Sequence, residues 1–275
     1  MIKTTRIARD LDGVYALSAA QIDAFRTGGF IKLKNVLMPE TLNAYGVEIT
    51  RQVFRLNTEN RPMSERSTYG KAFLQVMNIW TKSDIVHEFS FSRKLARIAA
   101  ELMGVQGVRM YHDQALYKEP SGGITPWHAD QFYWPLGNNN TCTVWVPLQA
   151  TPMEMGPLAF SVGSHALTIG RDVEISDESE VKISKALLEQ KLPIEESAFD
   201  LGEVSFHAGW TFHRAGPNTT RTPRAVMTVI YMEDGVRLAQ PKNKSQQNDW
   251  DTWLPGAKVG ECIDTPLNPV LYSKV

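Results

Sequence analysis

The stretch Thr125-Pro126-Trp127-His128-Ala129-Asp130-Gln131 constrains this chain more than any other. It sets an imidazole and a carboxylate two residues apart. Side chains alternate faces along a strand, so on extended backbone His128 and Asp130 point the same way. At a strand end they can therefore grip one metal ion. A second cluster, Phe212-His213-Arg214-Ala215-Gly216-Pro217-Asn218, lies far downstream and is followed by Arg224. Two histidines and one carboxylate that leave coordination positions open form the facial triad of non-haem Fe(II). His128, Asp130 and His213 are read as that triad. An isolated H-x-D reads more simply as a surface hydrogen-bonded pair; the distal His and Arg shift the balance to a metal site.

From Val108 onward the apolar pattern has period two. Val108, Met110, His112, Gln114, Leu116 and Lys118 share one face of a strand that ends at Pro120, and Ser121-Gly122-Gly123 is a turn. The His128 strand, Thr141 to Leu148, Gly156 to Ser161, Glu203 to His207, Thr211 to His213 and Ala225 to Met232 follow. Short strands broken by turns at this spacing indicate an all-β sandwich or barrel. The N-terminal part is helical. Ser18 and Gln21 form a capping box, Leu17 and Ile22 a hydrophobic staple, and Gly28-Gly29 a stop. A half-buried strand is expected over 30–37. Pro39 opens a helix with Leu42, Tyr45, Ile49 and Val53 on its buried stripe. A third helix from about Ser92 carries Leu95, Ile98 and Leu102 and stops at Gly104. These helices are expected to buttress the sheet. Residues 57–70 are expected to be a mobile loop, 171–182 an acidic loop or lid, 184–191 a short helix, and the tail after Asp234 irregular.

A chain of 275 residues suits one large domain or two small ones, and the β-barrel class often runs to this size as one. One domain over 1–275 is the expectation. Net charge is −1 with no basic stretch, so a nucleic-acid partner is not expected. No apolar run approaches a membrane span. Met1-Ile2-Lys3-Thr4-Thr5-Arg6 leads into a polar segment without the apolar core of a signal peptide. Cys142 and Cys262 are too few for a disulfide framework, which fits a reducing, cytoplasmic location. Nothing in the sequence speaks to oligomeric state.

Trp127-His128-x-Asp130-Gln131, Gly163-Ser164-His165, His213-x-x-Gly216-Pro217-Asn218 and Arg224 together resemble the phytanoyl-CoA dioxygenase family. The resemblance runs from the region of Phe25 to the Pro266-Leu267-Asn268-Pro269 tail. It implies a mainly β fold, a double-stranded β-helix of jelly-roll, cupin-like form, with N-terminal buttressing helices. It implies Fe(II) and 2-oxoglutarate as cofactors, and dioxygen and a small molecule as partners. The implied reaction is hydroxylation of an aliphatic C–H with release of succinate and CO2. The same cofactors serve desaturation, ring closure or epimerisation of a natural-product intermediate. A non-enzymatic metal-binding sensor is the alternative outside enzymes, and the complete triad with Arg224 weighs against it. Related halogenases replace the carboxylate by a small residue; Asp130 is retained here, which favours oxidation.

The resemblance also assigns Arg224 to the far carboxylate of 2-oxoglutarate. Its strand face, with Val226, Thr228 and Ile230, is expected to point inward, and a planar fork of donors matches a carboxylate bidentately. Gln114 and Trp145 match positions beside the cosubstrate, though each also reads as an ordinary core residue. Gln75 either reaches the same pocket or lies on an exposed face. Arg214 and Ala215 stand where the family commonly has Gly and a small hydroxyl residue. That removes one hydrogen bond to the cosubstrate. His165 and His207 read as structural histidines, and His112, which shares the Gln114 face, is a candidate for substrate contact. Phe132, Tyr133, Trp134 and Trp210 either shape an apolar pocket or fill the core.

Overall fold

Helix-forming sequence is concentrated before Gly107, and caps set its ends. The computed structural model describes residues 5–274; the reading of Met1-Ile2-Lys3-Thr4 as lacking a signal segment lies outside the described residues. After α1 (Thr5–Asp12), the Ser18 side chain accepts from the Gln21 amide and the Gln21 side chain returns to Ser18 N–H. This capping box starts α2 (Ala19–Gly28), which stops where Gly29 takes φ 82°. The following strand, β1 (Phe30–Leu33), is shorter than expected. Asn35 turns into the left-handed region at φ 55° and the Val36 amide bonds Gly202 O, so extended pairing ends before Leu37. α3 (Pro39–Leu56) begins on proline and buries Leu42, Tyr45, Ile49 and Val53.

Residues 57–70 are not all loop. A 3-10 turn occupies Met63–Glu65, and Ser67 caps α4 (Thr68–Ala72) by accepting from Gly70 N–H. β2 (Leu74–Met77) and α5 (Asp84–Ser90) come next. α6 (Arg93–Met103) starts at the Ser92 cap, buries Leu95, Ile98 and Leu102, and stops at Gly104 with φ 76°. The remaining elements are β3 (Gly107–Lys118), β4 (Thr125–His128), β5 (Thr141–Pro147), β6 (Leu158–Ser161), α7 (Asp177–Glu189), β7 (Ile194–Glu196), β8 (Val204–Ala208), β9 (His213–Ala215), β10 (Arg224–Glu233), α8 (Lys244–Trp253) and β11 (Val270–Ser273). The acidic segment therefore folds into α7 from Asp177, where the Ser176 hydroxyl accepts from Ser179 N–H. The tail after Asp234 holds α8 and β11, not irregular chain alone.

The strands form two antiparallel sheets. One runs β1-β8-β5-β10-β3-β11, with β2 also on β3; the other runs β4-β9-β6-β7. Together they make the mainly β double-stranded β-helix. Helices α3 and α6 cover the outer face of the larger sheet, where Met227, Val229 and Tyr231 of β10 join their stripes in one core. Val226, Thr228 and Ile230 take the other face, which looks inward. On β3 the alternation breaks. Ile230 stands opposite His112 but Tyr231 stands opposite Met110, so Tyr111 is an extra residue. A bulge of this kind flips the faces on either side of it. Val108 and Met110 pack toward the helices, while His112, Gln114 and Leu116 line the interior. The single face expected from Val108 to Lys118 is corrected at that bulge.

Candidate metal centre

The smaller sheet brings the two distant histidines together. β4 pairs with β9 so that His128 lies directly opposite His213, with ring centroids 4.2 Å apart. His128 ends its strand, but Ala129 stays extended at φ −128° and ψ 129°, and Asp130 opens a 3-10 turn. The carboxylate is thereby held on the His128 face. One ligand atom from each of His128, Asp130 and His213 lies within 4.8 Å of the others, a set that could hold a metal ion. Asp130 Oδ1 is 3.6 Å from His128 Nε2 and 3.7 Å from His213 Nε2.

Surrounding hydrogen bonds aim these atoms. His128 Nδ1 lies 2.8 Å from Pro126 O and His213 Nδ1 lies 3.0 Å from Thr211 O. With Nδ1–H donating to a carbonyl, each Nε2 keeps its lone pair for a metal. Asp130 Oδ2 is occupied by Thr143 Oγ1, which donates at 3.0 Å, and by His207 Nε2 at 3.2 Å. That leaves Oδ1 facing the imidazoles. Burial alone would raise the Asp130 carboxyl, but the His213, His207 and His128 rings outweigh it and hold the group ionised, well below the usual carboxylate range. Burial pulls His128 and His213 down to about 4, so both rings are neutral near pH 7. A neutral-imidazole, anionic-carboxylate donor set is the one Fe(II) takes.

The centre lies in a cavity of about 310 Å³. Arg224 closes one end. It is 1% exposed, its Nη1 donates to Gly156 O, its guanidinium lies 5.3 Å from the Trp145 ring, and its buried Nε has no partner. Burial draws its pKa down to about 9. Lys118, opposite Arg224 in the β3–β10 register, is also fully buried; its amine donates to Gly123 O and to Thr125 Oγ1. Burial, then the neighbouring guanidinium, brings Lys118 down to about 6. A buried guanidinium with no carboxylate partner, beside an amine that burial keeps neutral near pH 7, suits an anion.

Gln114, Gln75 and Trp145 all line this cavity. Gln75 Nε2 donates to Gln114 Oε1 at 2.6 Å, and Tyr69 OH donates to Gln75 Oε1 at 3.0 Å. The indole Nε1 of Trp145 is buried without a partner. Arg214 turns away from the cavity to pair with Glu180 of α7 at 3.2 Å. Ala215 faces Thr125 across the β4–β9 pair, and the Thr125 residue lines the cavity, so a hydroxyl comes from the opposite strand. His165 is structural, its Nε2 3.1 Å from Arg26 O. Tyr133 and Trp134 line the cavity, whereas Trp210 stacks under Arg171 outside it.

Sequence reasoning missed Thr143, Thr125 and Lys118, and the role of His207 as a partner of Asp130. Thr143 and His207 are register partners on β5 and β8, a juxtaposition that no local pattern reveals. It also missed Asp249 and Trp253, which α8 brings to the far end of the cavity. The one available signal was Asn243, whose side chain caps α8 by accepting from Gln246 N–H.

The family model described as Phytanoyl-CoA dioxygenase (PhyH) matches residues 25–226. A probable alpha-ketoglutarate-dependent hypophosphite dioxygenase of Stutzerimonas stutzeri is 24% identical over 195 residues, 69% of this chain. The match spans 65% of that relative's length, just under two thirds. Among solved structures, the non-heme alpha ketoglutarate dependent carbocyclase SnoK from nogalamycin biosynthesis has a TM-score of 0.77 at 22% identity, covering 94% of this chain and 99% of its own. The epimerase SnoN in complex with Fe3+, alpha ketoglutarate and nogalamycin RO has 0.76 at 23% identity, over 92% and 98%. EctD from S. alaskensis with 2-oxoglutarate and 5-hydroxyectoine has 0.66 at 20% identity, over 91% and 86%. At these identities the structural similarity is one of fold.

Proposed function

The chain belongs to the phytanoyl-CoA dioxygenase family, and on that footing we propose that it is an Fe(II)- and 2-oxoglutarate-dependent dioxygenase that hydroxylates an aliphatic C–H of a small organic molecule. One observation carries the reading: three convergent metal-ligand atoms and an unpaired buried guanidinium share one cavity. His128, Asp130 and His213 would hold the iron. Arg224 would receive the far carboxylate of 2-oxoglutarate, with the Lys118 amine behind it held neutral by burial. When bound, the iron and cosubstrate supply oxygen activation coupled to decarboxylation of 2-oxoglutarate to succinate.

The chain's own part is placement. Pro126 O and Thr211 O orient the two imidazoles, and Thr143 and His207 hold Asp130 on one oxygen. The Gln75–Gln114 pair and Trp145 wall the cosubstrate end. His213 is buried and His128 and Asp130 are half-buried, which limits access of bulk water to the centre. Ring closure and epimerisation, named for SnoK and SnoN, would need the same centre and a different placement of the substrate carbon. Hypophosphite, named for the S. stutzeri relative, is a poor fit. The cavity is roomy for so small an anion, and its free end carries carboxylates rather than cations. Cys142 is buried and Cys262 exposed and both are free thiols, which suits a reducing cytoplasm. No helix among the described residues is long and apolar enough to cross a membrane.

The test is metal content with succinate formation. His128→Ala, Asp130→Ala and His213→Ala should each lose bound Fe(II) and all 2-oxoglutarate turnover while keeping the wild-type circular dichroism spectrum. Retention of stoichiometric iron by any one of them would remove that residue from the centre.

A further inference from the structure

The cavity has a second end, and its chemistry is opposite to that around Arg224. Asp249 and Glu174 line it, and Arg224 is the only Lys or Arg among the described lining residues. Asp249 lies on α8, beyond the matched family region, and accepts one hydrogen bond, from Tyr111 OH at 2.9 Å. It forms no ion pair with any described residue. Burial pushes its carboxyl up to about 7 despite that bond. Glu174 is exposed at the rim, where Ser245 of α8 donates to it at 2.8 Å.

His112 supplies the second observation. It is only 4% exposed and lines the same cavity; the Asp113 backbone acts on the ring, yet its buried Nδ1 is left without a well-formed hydrogen bond. A buried polar atom left unmade is costly, and it points to a ligand that completes it. The His112 ring packs 5.5 Å from Trp253, one helical turn along α8 from Asp249. Tyr69, Phe73 and Trp253 add aromatic walls. Tyr69 connects the two regions: burial, then the charges of Asp130 and Asp249, push its phenol upward, so both carboxylates are within electrostatic reach of it.

We infer that the substrate carries a protonated amine, received by Asp249 and His112 between these aromatic walls while its reacting carbon is directed to the metal centre. This rests on the oxygenase reading for the identity of the occupant as substrate. An ammonium has three donors and no acceptor, which matches a carboxylate and a neutral imidazole nitrogen. Its charge offsets the buried carboxylate, and aromatic faces attract it further. An anion would be repelled at this end. A neutral polyol would leave the carboxylate without a counter-charge.

The experiment uses the full chain with Fe(II) and 2-oxoglutarate under argon and three probes of nearly equal size: cyclohexylmethylamine, cyclohexylmethanol and cyclohexanecarboxylate. Dissociation constants come from ligand-observed NMR. The amine should bind at least tenfold tighter than either other probe. Asp249→Asn keeps an acceptor for Tyr111 and should erase that preference. Glu174→Gln, at the exposed rim, should weaken the amine by no more than about threefold, as expected for a solvent-screened charge. Equal binding of the three probes, tighter binding of the carboxylate, no measurable binding of the amine, or a preference that survives Asp249→Asn would each overturn the inference. The wild-type ranking decides it even if Asp249→Asn misfolds. A parallel 2-oxoglutarate titration separates the two readings. Its failure would remove the oxygenase proposal and leave the amine ranking readable; its success with no amine preference would remove only this inference.

Discussion

Arg224 has the clearest energetic signature of any single residue here. Removing a charge from water without pairing it costs several kcal/mol, so an unpaired buried guanidinium persists where a bound anion offsets that cost. Arg224 is fixed by Gly156 O and the Trp145 face, yet its Nε has no partner and it forms no ion pair with a described residue. Hydrogen bonds to a charged group are worth roughly 1.5–3 kcal/mol. Arg224→Ala should therefore weaken 2-oxoglutarate binding by at least about tenfold, since about 1.4 kcal/mol is a factor of ten. Lys should rescue only partly, because an ammonium cannot reproduce the planar fork. Iron content should not change. Titration of 2-oxoglutarate into the anaerobic Fe(II) protein measures all three forms. Equal affinities would move the carboxylate to another donor, with the Lys118 amine the nearest candidate.

At the scale of elements, the cosubstrate end depends on how the loop before β6 meets the loop after β9. Gly156 takes φ 67°, and a Cβ there would fall within contact distance of the Gly216 and Pro217 backbone. Those are main-chain atoms, so they cannot swing aside, and the Gly156 carbonyl is also the acceptor that anchors Arg224. Gly156→Ala should cost about 1–3 kcal/mol, the usual range for enforced backbone strain, and should weaken 2-oxoglutarate binding as the anchor shifts. Denaturant midpoints and the same titration would show it; an unchanged midpoint with unchanged affinity would exclude this coupling. The elements also show what the sequence could convey. Ser18, Pro39, Ser92 and Gly104 act locally, so those helix ends were legible, and period two marked most strands. The triad was legible because H-x-D and a distal His have meaning as spacing. The bulge at Tyr111 was not, because it exists only in the register with β10. Nor were His207 and Thr143, whose role is set by a cross-strand neighbour. Helix α8 escaped because its sequence is polar and only Gln246 of it is buried.

Across the whole molecule, the cavity separates unlike charges. Arg224 lies at one end with the neutral Lys118 amine behind it, Asp249 and Glu174 line the other, and the metal centre is between them. Without ligands this arrangement should leave a trace in stability, most cleanly through Lys118. Its pKa is about 6 in the fold against 10.5 ordinarily. Between those values the unfolded chain binds a proton at Lys118 that the folded chain does not. Stability therefore rises with pH through this window, because the unfolded state holds more protons, and the penalty is complete once pH falls below about 6. One group contributes at most about 1.4 kcal/mol per pH unit. Lys118→Met removes the titration while keeping an unbranched side chain in the buried site. From pH 7 to pH 8.5, a span that stays below the Arg224 value of about 9, ligand-free wild type should gain melting temperature relative to Lys118→Met. Differences common to both proteins cancel in that comparison. Parallel melting curves across the interval would show that the Lys118 amine is not held neutral by its burial.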